Sequence, residues 1–165
     1  IPGVAKAASY GAWVYDPQIE DRPLVLLAGS LEEAQQMRDH LMRVGIDTVR
    51  GYITSLDGLE LVKPKLVQPE ALDGFDGVML LDVRNRTEYA EGHLPDAKQL
   101  SGGRVLWILD LLPEPEAGTI VTYCQSGVRN SVAASALRRQ GYDIAELDGS
   151  YAAWAARPGN QPVTA

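Results

Sequence analysis

Cysteine is almost absent from this chain of 165 residues, which contains only one, Cys124. A single cysteine excludes an internal disulfide framework, so the composition is compatible with a reducing compartment and we expect a cytoplasmic location. Two histidines accompany it, and neither has the spacing to Cys124 that a zinc site requires. We therefore predict no metal site and no cofactor.

Long hydrophobic runs and a surplus of positive charge are also missing. No apolar stretch approaches the roughly 18 residues of a membrane-spanning helix. The net charge of −7 argues against a nucleic-acid-binding surface, which normally needs a basic patch. We predict neither a membrane nor a nucleic acid as partner. A small anionic substrate stays compatible, because a few backbone amides and one arginine can outweigh a diffuse negative field.

The apolar fraction of 45% supports a packed core. Its pattern predicts strands that alternate with helices, which is typical of an α/β fold with a central parallel sheet. The predicted strands are 24–27, 48–53, 66–67, 78–83, 97–100, 120–123 and 144–147, with 66–67 at an edge. The predicted helices are 31–44, 69–72, 86–91, 103–112, 128–140 and 150–156.

Two units share a weak internal repeat. Residues 24–53 align without gaps on 120–149, with six identities in thirty positions. Ala28 then falls on Cys124, so we interpret residues 1–60 as a partial, degenerate unit without a nucleophile and residues 61–160 as the complete domain. Residues 1–3 resemble 94–96 in the same way. We therefore expect that the first unit begins in its middle and that the chain is the C-terminal piece of a longer protein.

Cys124 lies directly after the strand predicted at 120–123, on the loop that leads into the helix predicted at 128–140. Backbone N–H groups converge at such a place and the helix dipole presents its positive end, so an anion is stabilised there. We expect this thiol to ionise readily and to be reactive near neutral pH. The alternative is a small buried core residue, which is the commonest fate of a free cysteine.

The residues after the cysteine are candidates for substrate binding. Gln125, Ser126 and Val128 can supply backbone N–H groups, and the Ser126 hydroxyl can donate as well. Gly127 allows a backbone geometry that other residues avoid. Arg129 can bind an anionic donor through two parallel hydrogen bonds, with anchoring of the loop as the alternative role.

Three further polar residues lie near the same predicted sheet edge. For Arg84 we favour an ion pair that holds the edge to the helix of Glu88. The role of Asp82 stays open, since its carboxylate can also brace the loop that carries the thiol. His93 can be imagined as a base, but we expect it to satisfy backbone groups in a turn.

Four separated motifs resemble those of the rhodanese family over residues 62–157. They are Leu81-Asp82-Val83-Arg84, Glu88-Tyr89-Ala90-Glu91-Gly92-His93-Leu94-Pro95, Tyr123-Cys124-Gln125-Ser126-Gly127-Val128-Arg129 and Leu147-Asp148-Gly149-Ser150-Tyr151-Ala152-Ala153-Trp154. Asp96 and Ser150 stand where the family often has glycine. We expect neither residue to touch the nucleophile.

The resemblance implies a three-layer rhodanese-like domain and a sulfurtransferase of the thiosulfate sulfurtransferase type. A sulfane sulfur would pass from thiosulfate or a low-molecular-weight persulfide to a thiol or cyanide through a persulfide on Cys124. The pair of units also resembles the C-terminal part of fusions with a metallo-β-lactamase-fold persulfide dioxygenase. Such a domain, absent from this chain, is therefore a predicted partner.

Two other functions compete with sulfur transfer. Cysteine phosphatases and arsenate reductases place five residues between cysteine and arginine, whereas four separate Cys124 from Arg129 here, which favours a smaller ligand than a tetrahedral oxyanion. A module that relays sulfur without turnover, or that only mediates interactions with a fused or partner domain, is the second alternative.

Overall fold

The structure is a computed structural model, and it describes residues 3–16, 18, 20, 22–75 and 77–165. The chain divides into two compact units, residues 1–62 and 63–165. Ile1 and Pro2, which belong to the predicted echo of residues 94–96, lie outside the described residues.

The first unit is a two-stranded parallel sheet packed on helices. Its helices are α1 (Ala7–Val14) and α2 (Leu31–Met42), and its strands are β1 (Leu24–Leu27) and β2 (Val49–Ile53). Ser30 caps α2 by accepting a hydrogen bond from the Glu33 N–H, as the sequence of the first turn favours. The helices pack closely, because Gly11 of α1 leaves a Cβ no room beside Leu41 of α2.

The second unit contains a five-stranded sheet in which every neighbouring pair is parallel. The strands run in the order β3-β7-β6-β4-β5. They are β3 (Lys65–Val67), β4 (Met79–Asp82), β5 (Lys98–Gln99), β6 (Ile120–Tyr123) and β7 (Ile144–Leu147). The helices are α3 (Arg86–Glu91), α4 (Val128–Arg139) and α5 (Ser150–Ala155), with 3₁₀ turns at Pro69–Gly74, Leu109–Leu111 and Pro115–Ala117.

Alternate residues of the central strands enter two separate cores, as expected for a sheet that is covered on both faces. Ile120 packs with Ala133 and Leu137 of α4 on one face. Val121 and Tyr123 pack with Trp154 of α5 on the other face. The result is a three-layer α/β domain, and the predicted fold class is confirmed.

The prediction of a helix over 103–112 is wrong. The segment forms successive tight turns, in which the N–H of Arg104 donates to Ser101 and that of Trp107 donates to Arg104, followed by the short 3₁₀ turn at Leu109–Leu111. Apolar residues occur almost continuously here, so no polar face exists to point a regular helix toward water. Helix α1, in contrast, is present although the sequence analysis did not predict it.

Both units contain the parallel strand–helix–strand order that the repeat predicts. In the first unit it is β1-α2-β2, and in the second it is β6-α4-β7. Strands β1 and β6 are separated by the same 96 residues as in the sequence alignment. Common ancestry of the two units stays a prediction.

Candidate functional site

Cys124 follows β6 directly at the carboxyl edge of the sheet, and its backbone is held from α5. Its N–H donates to the Ser150 hydroxyl oxygen at 3.3 Å, and its carbonyl accepts from the Tyr151 N–H at 3.0 Å. The residue is only 1% exposed. The thiol therefore sits at the base of the segment Cys124–Arg129, which we call the cysteine loop.

The Cys124 sulfur receives a hydrogen bond from the loop itself. The N–H of Gly127 donates to Sγ at 3.2 Å, and Gly127 immediately precedes α4. With φ at +101°, Gly127 has a backbone conformation that side-chain-bearing residues rarely adopt. A negative charge on this sulfur would thus face both an N–H donor and the positive end of a 12-residue helix.

The side chains in the middle of the cysteine loop are exposed, whereas its backbone is anchored. Gln125, Ser126 and Val128 are all exposed. The carbonyl of Gln125 accepts from the Ala152 N–H at 3.0 Å, which fastens the loop to α5. The predicted loop residues thus lie in one anchored segment that begins at Cys124 and contacts its sulfur through Gly127.

Arg129 is engaged by Glu88 of α3. Its Nη1 and Nη2 donate to the two Glu88 carboxylate oxygens at 2.6 and 2.7 Å, in the bidentate geometry that makes such pairs strong. The geometry thus matches the anchoring alternative, and donor binding by Arg129 stays a prediction.

Glu88 was not identified from sequence as the partner of Arg129, although one signal was available. Asn85 and Glu88 form a capping box at the start of α3, which marks Glu88 as a carboxylate fixed in the first turn. The hydrogen bonds from Arg129 hold the pKa of Glu88 below its ordinary value, against the opposing effect of burial. Glu88 is therefore a fixed negative charge at neutral pH.

Arg84 and Asp82 form a buried ion pair beside the loop. The Arg84 side chain is 2% exposed and that of Asp82 is fully buried, with an Nη2–Oδ2 distance of 2.7 Å. Burial by itself would lower the pKa of Arg84, but the hydrogen bonds and charge of Asp82 outweigh it and the pKa is raised. Arg84 Nη2 also donates to the Gly92 carbonyl, which ties the sheet edge to the end of α3.

The same guanidinium reaches the cysteine loop and α5. Arg84 Nη1 donates to the Gln125 Oε1 at 3.3 Å, and its Cζ lies 4.0 Å from the centroid of the Tyr151 ring. Since Asp82 holds Arg84 in place, Asp82 braces the loop through Arg84. These contacts are compatible with the bracing role for Asp82, which stays a prediction.

A cavity of about 140 Å³ lies beside the residue that follows Cys124. It is lined by Arg84, Glu88, Glu91, Gly92, Gln125 and Tyr151. Two carboxylates and one guanidinium thus border a space large enough for a small molecule.

His93 is buried and satisfies a backbone group, as predicted. Its Nδ1 lies 2.8 Å from the Tyr89 carbonyl oxygen, and its ring stacks on the Tyr89 ring with centroids 3.6 Å apart. It therefore has a structural role in the segment between α3 and β5.

Ser150 corrects one expectation, because it does touch the nucleophile. Its hydroxyl oxygen accepts a hydrogen bond from the Cys124 N–H. Its φ of +57° lies in the left-handed region, which glycine adopts without strain. Asp96, at the other departure from the family pattern, has a φ of +61°. Both departures therefore place a side chain on a left-handed backbone.

Comparison with known proteins fits this geometry. Residues 68–157 match the model of the rhodanese-like domain. The chain belongs to the rhodanese-like family. Several curated relatives have names that state an activity. A sulfurtransferase of Allochromatium vinosum is 36% identical over 87 residues, which cover 52% of this chain and 79% of the relative. The thiosulfate sulfurtransferase GlpE of Pseudoalteromonas translucida is 32% identical over 88 residues, which cover 53% and 81%.

Solved structures support the fold of this rhodanese-like chain. A rhodanese-related protein of Thermoplasma volcanium matches with a TM-score of 0.55 at 19% identity, over 61% of this chain and 99% of its own. A thiosulfate sulfurtransferase of Pseudomonas aeruginosa matches with a TM-score of 0.54 at 22% identity, over 86% of this chain and 29% of its own.

Family membership and the named relatives support a sulfurtransferase activity in general. Among the described residues, no group of three or more His, Cys, Asp or Glu side chains is arranged to hold a metal ion. Within the same part of the chain, no helix has the length and apolar character needed to cross a membrane.

Proposed function

We propose that this rhodanese-like domain transfers a sulfane sulfur through a persulfide on Cys124. The observation that carries the proposal is the hydrogen bond from the Gly127 N–H to Cys124 Sγ at the start of α4. The thiolate is the nucleophilic form of cysteine, and this N–H donates to the sulfur that would carry its charge. The same N–H is in position to stabilise the negative charge that returns to the sulfur after each transfer.

In the first half-reaction, the Cys124 thiolate attacks the outer sulfur of the donor. With thiosulfate, the S–S bond breaks and its electron pair leaves with sulfite, while the new S–S bond forms the Cys124 persulfide. With an alkyl persulfide, the leaving group is the alkyl thiolate. No external oxidant or reductant is needed, because a neutral sulfur atom passes from the leaving nucleophile, sulfite or a thiolate, to the Cys124 thiolate.

In the second half-reaction, an acceptor thiolate or cyanide attacks the outer sulfur of the persulfide. The Cys124 thiolate is the leaving group and is thereby regenerated, and the product is a new persulfide or thiocyanate. Donor and acceptor thus react in turn at one position, which predicts ping-pong kinetics.

The surrounding residues have positioning roles in this proposal. The Asp82–Arg84 pair holds Gln125, and Ser150 holds the Cys124 backbone. In the proposed cycle, residues Gln125 to Val128 line the transferred sulfur and bind the donor, while Arg129 anchors the loop through Glu88.

Incubation with a donor followed by intact-mass measurement tests this function. We expect the protein to gain the mass of one sulfur atom after exposure to thiosulfate or an alkyl persulfide, and to lose it again on addition of cyanide. Cys124→Ser is the matched control and should gain nothing. Hydrolysis of p-nitrophenyl phosphate without any sulfur loading would instead support the phosphatase alternative.

Loading without turnover would identify the sulfur relay. In that case the persulfide would form on Cys124, but small thiols and cyanide would fail to discharge it. The predicted metallo-β-lactamase-fold domain would then be the first candidate partner to add. We propose the first unit as a degenerate rhodanese-like unit, because it has Ala28 at the position of Cys124.

A further inference from the structure

Each guanidinium group near the cysteine loop is already paired with a carboxylate. Arg129 makes its bidentate contact with Glu88, and Arg84 makes its buried contact with Asp82. Neither positive charge is therefore available to an anionic donor without loss of an existing ion pair.

The charged groups that line the cavity, counted together with their ion-pair partners, have a negative sum. Three carboxylates, those of Asp82, Glu88 and Glu91, stand against the two guanidinium groups of Arg84 and Arg129. The sum of these formal charges is −1. Glu88 and Glu91 both border the 140 Å³ cavity, so a donor bound there lies beside two carboxylates.

Thiosulfate is poorly matched to this arrangement. Thiosulfate is a dianion whose sulfonate end needs cationic or N–H partners. The two Arg129 N–H groups that could supply them already donate to Glu88. A donor with a neutral or cationic end has no such conflict. An ammonium group could pair with Glu91, whose carboxylate borders the same cavity.

We propose that Glu88 determines donor selectivity, because it neutralises Arg129 and thereby favours persulfides with a neutral or amine-bearing end over dianionic thiosulfate. This inference rests on the proposed function and adds a substrate class to it. Glu88 acts here through its charge at the cavity that Gln125 also lines, and it takes no part in the transfer of sulfur.

Three donors test the proposal on the unmodified chain. They are the persulfide of cysteamine, the persulfide of 3-mercaptopropionate and thiosulfate. The two persulfides differ chiefly in the charge of the far end. We expect kcat/KM to be highest for the cysteamine persulfide and to exceed the value for thiosulfate at least about tenfold. Repulsion between one negative charge on the donor and a nearby carboxylate in a partly solvated site changes a rate by about this factor.

Glu88→Gln is the decisive variant. Glutamine retains the oxygen that accepts the Asn85 N–H, so the capping box can persist while the charge is removed. We expect kcat/KM for thiosulfate to rise and that for the cysteamine persulfide to fall, so that their ratio changes at least about tenfold. Glu116→Gln removes an equal charge at the exposed turn Pro115–Ala117, which precedes the start of β6. It should leave the ratio of the two kcat/KM values unchanged.

Salt dependence in the unmodified chain provides a measurement that does not rely on a folded variant. Repulsion predicts that kcat/KM for thiosulfate increases with ionic strength, whereas net attraction to Arg129 predicts a decrease. A decrease, or an unchanged donor ratio in Glu88→Gln, would overturn the inference while sulfur transfer itself persists. Absence of sulfur on Cys124 with all three donors would instead overturn the proposed function.

Discussion

The buried Asp82–Arg84 pair offers the sharpest test of how the cysteine loop is supported. Four N–H···O contacts join these two residues, from the Arg84 backbone N–H, from Nε to both oxygens and from Nη2. Both side chains are almost completely removed from water. Replacement of either residue alone should therefore leave a buried charge without its counter-ion.

The expected cost follows from that burial. Removal of one partner from a buried ion pair destabilises a protein by about 3–5 kcal/mol, whereas an exposed pair contributes about 0–1 kcal/mol. We expect Asp82→Leu and Arg84→Met each to lower the free energy of unfolding within the larger range. The double variant should lose less than the sum, by about 1–3 kcal/mol, because it leaves no unpaired charge.

Urea denaturation of the second unit measures these effects. Trp13 lies in the first unit, so Trp13→Phe as background leaves a fluorescence signal from Trp107 and Trp154 of the second unit. Single variants that cost less than about 1 kcal/mol, or costs that are simply additive, would refute the inference that this pair is a coupled, desolvated unit. The rate of sulfur loading should fall in the single variants as well, because Arg84→Met removes the contact with Gln125 and Asp82→Leu removes the carboxylate that holds Arg84 in place.

Three further predictions concern the same site. Ser150→Ala should lose about 1–3 kcal/mol in urea denaturation, because the buried Cys124 N–H loses its acceptor; Ser150→Gly should be about 1 kcal/mol more stable than the alanine variant, since glycine relieves the positive φ. Gly127→Ala should slow alkylation and sulfur loading of Cys124, because alanine disfavours a φ of +101° and shifts the N–H that contacts Sγ; unchanged alkylation kinetics would contradict this role. The folded pKa of Glu88 is lowered, so its contribution to stability is present above the unfolded value of 4.5 and is lost as pH falls through the folded value; the stability difference between the native chain and Glu88→Gln should thus shrink in acid, and a difference independent of pH would argue against it.

The elements that could be predicted from sequence are those whose local signals agree with their tertiary environment. Strand β6 and helix α3 have the predicted bounds, and β4 and α4 differ from prediction by one or two residues. Their residues combine a clear apolar period with a cap or glycine at the ends, so local preference and burial favour the same structure.

The segment 103–112 shows where this agreement fails. Leu106, Ile108 and Leu109 all pack against the core, while Trp107 and Leu111 remain exposed. A regular helix has one buried stripe and could not bury three such closely spaced residues equally. Packing against the sheet therefore outweighs the helical preference of the segment.

The partners of the site residues could not be predicted from local pattern. Arg129 and Glu88 are separated by 41 residues, as are Arg84 and Gln125, and Ser150 lies 26 residues after Cys124. Parallel strand order brings these pairs together, because the carboxyl ends of β4, β6 and β7 meet at one edge of the sheet.

The sequence by itself determined the alternation of strands and helices, the position of a lone thiol before a helix and the glycine that lets the loop turn, because each depends on residues close along the chain. The tertiary structure alone decided which carboxylate holds each arginine and which hydroxyl holds the thiol's backbone. Those contacts depend on strand order and on burial, and only the folded sheet brings their atoms within hydrogen-bonding distance.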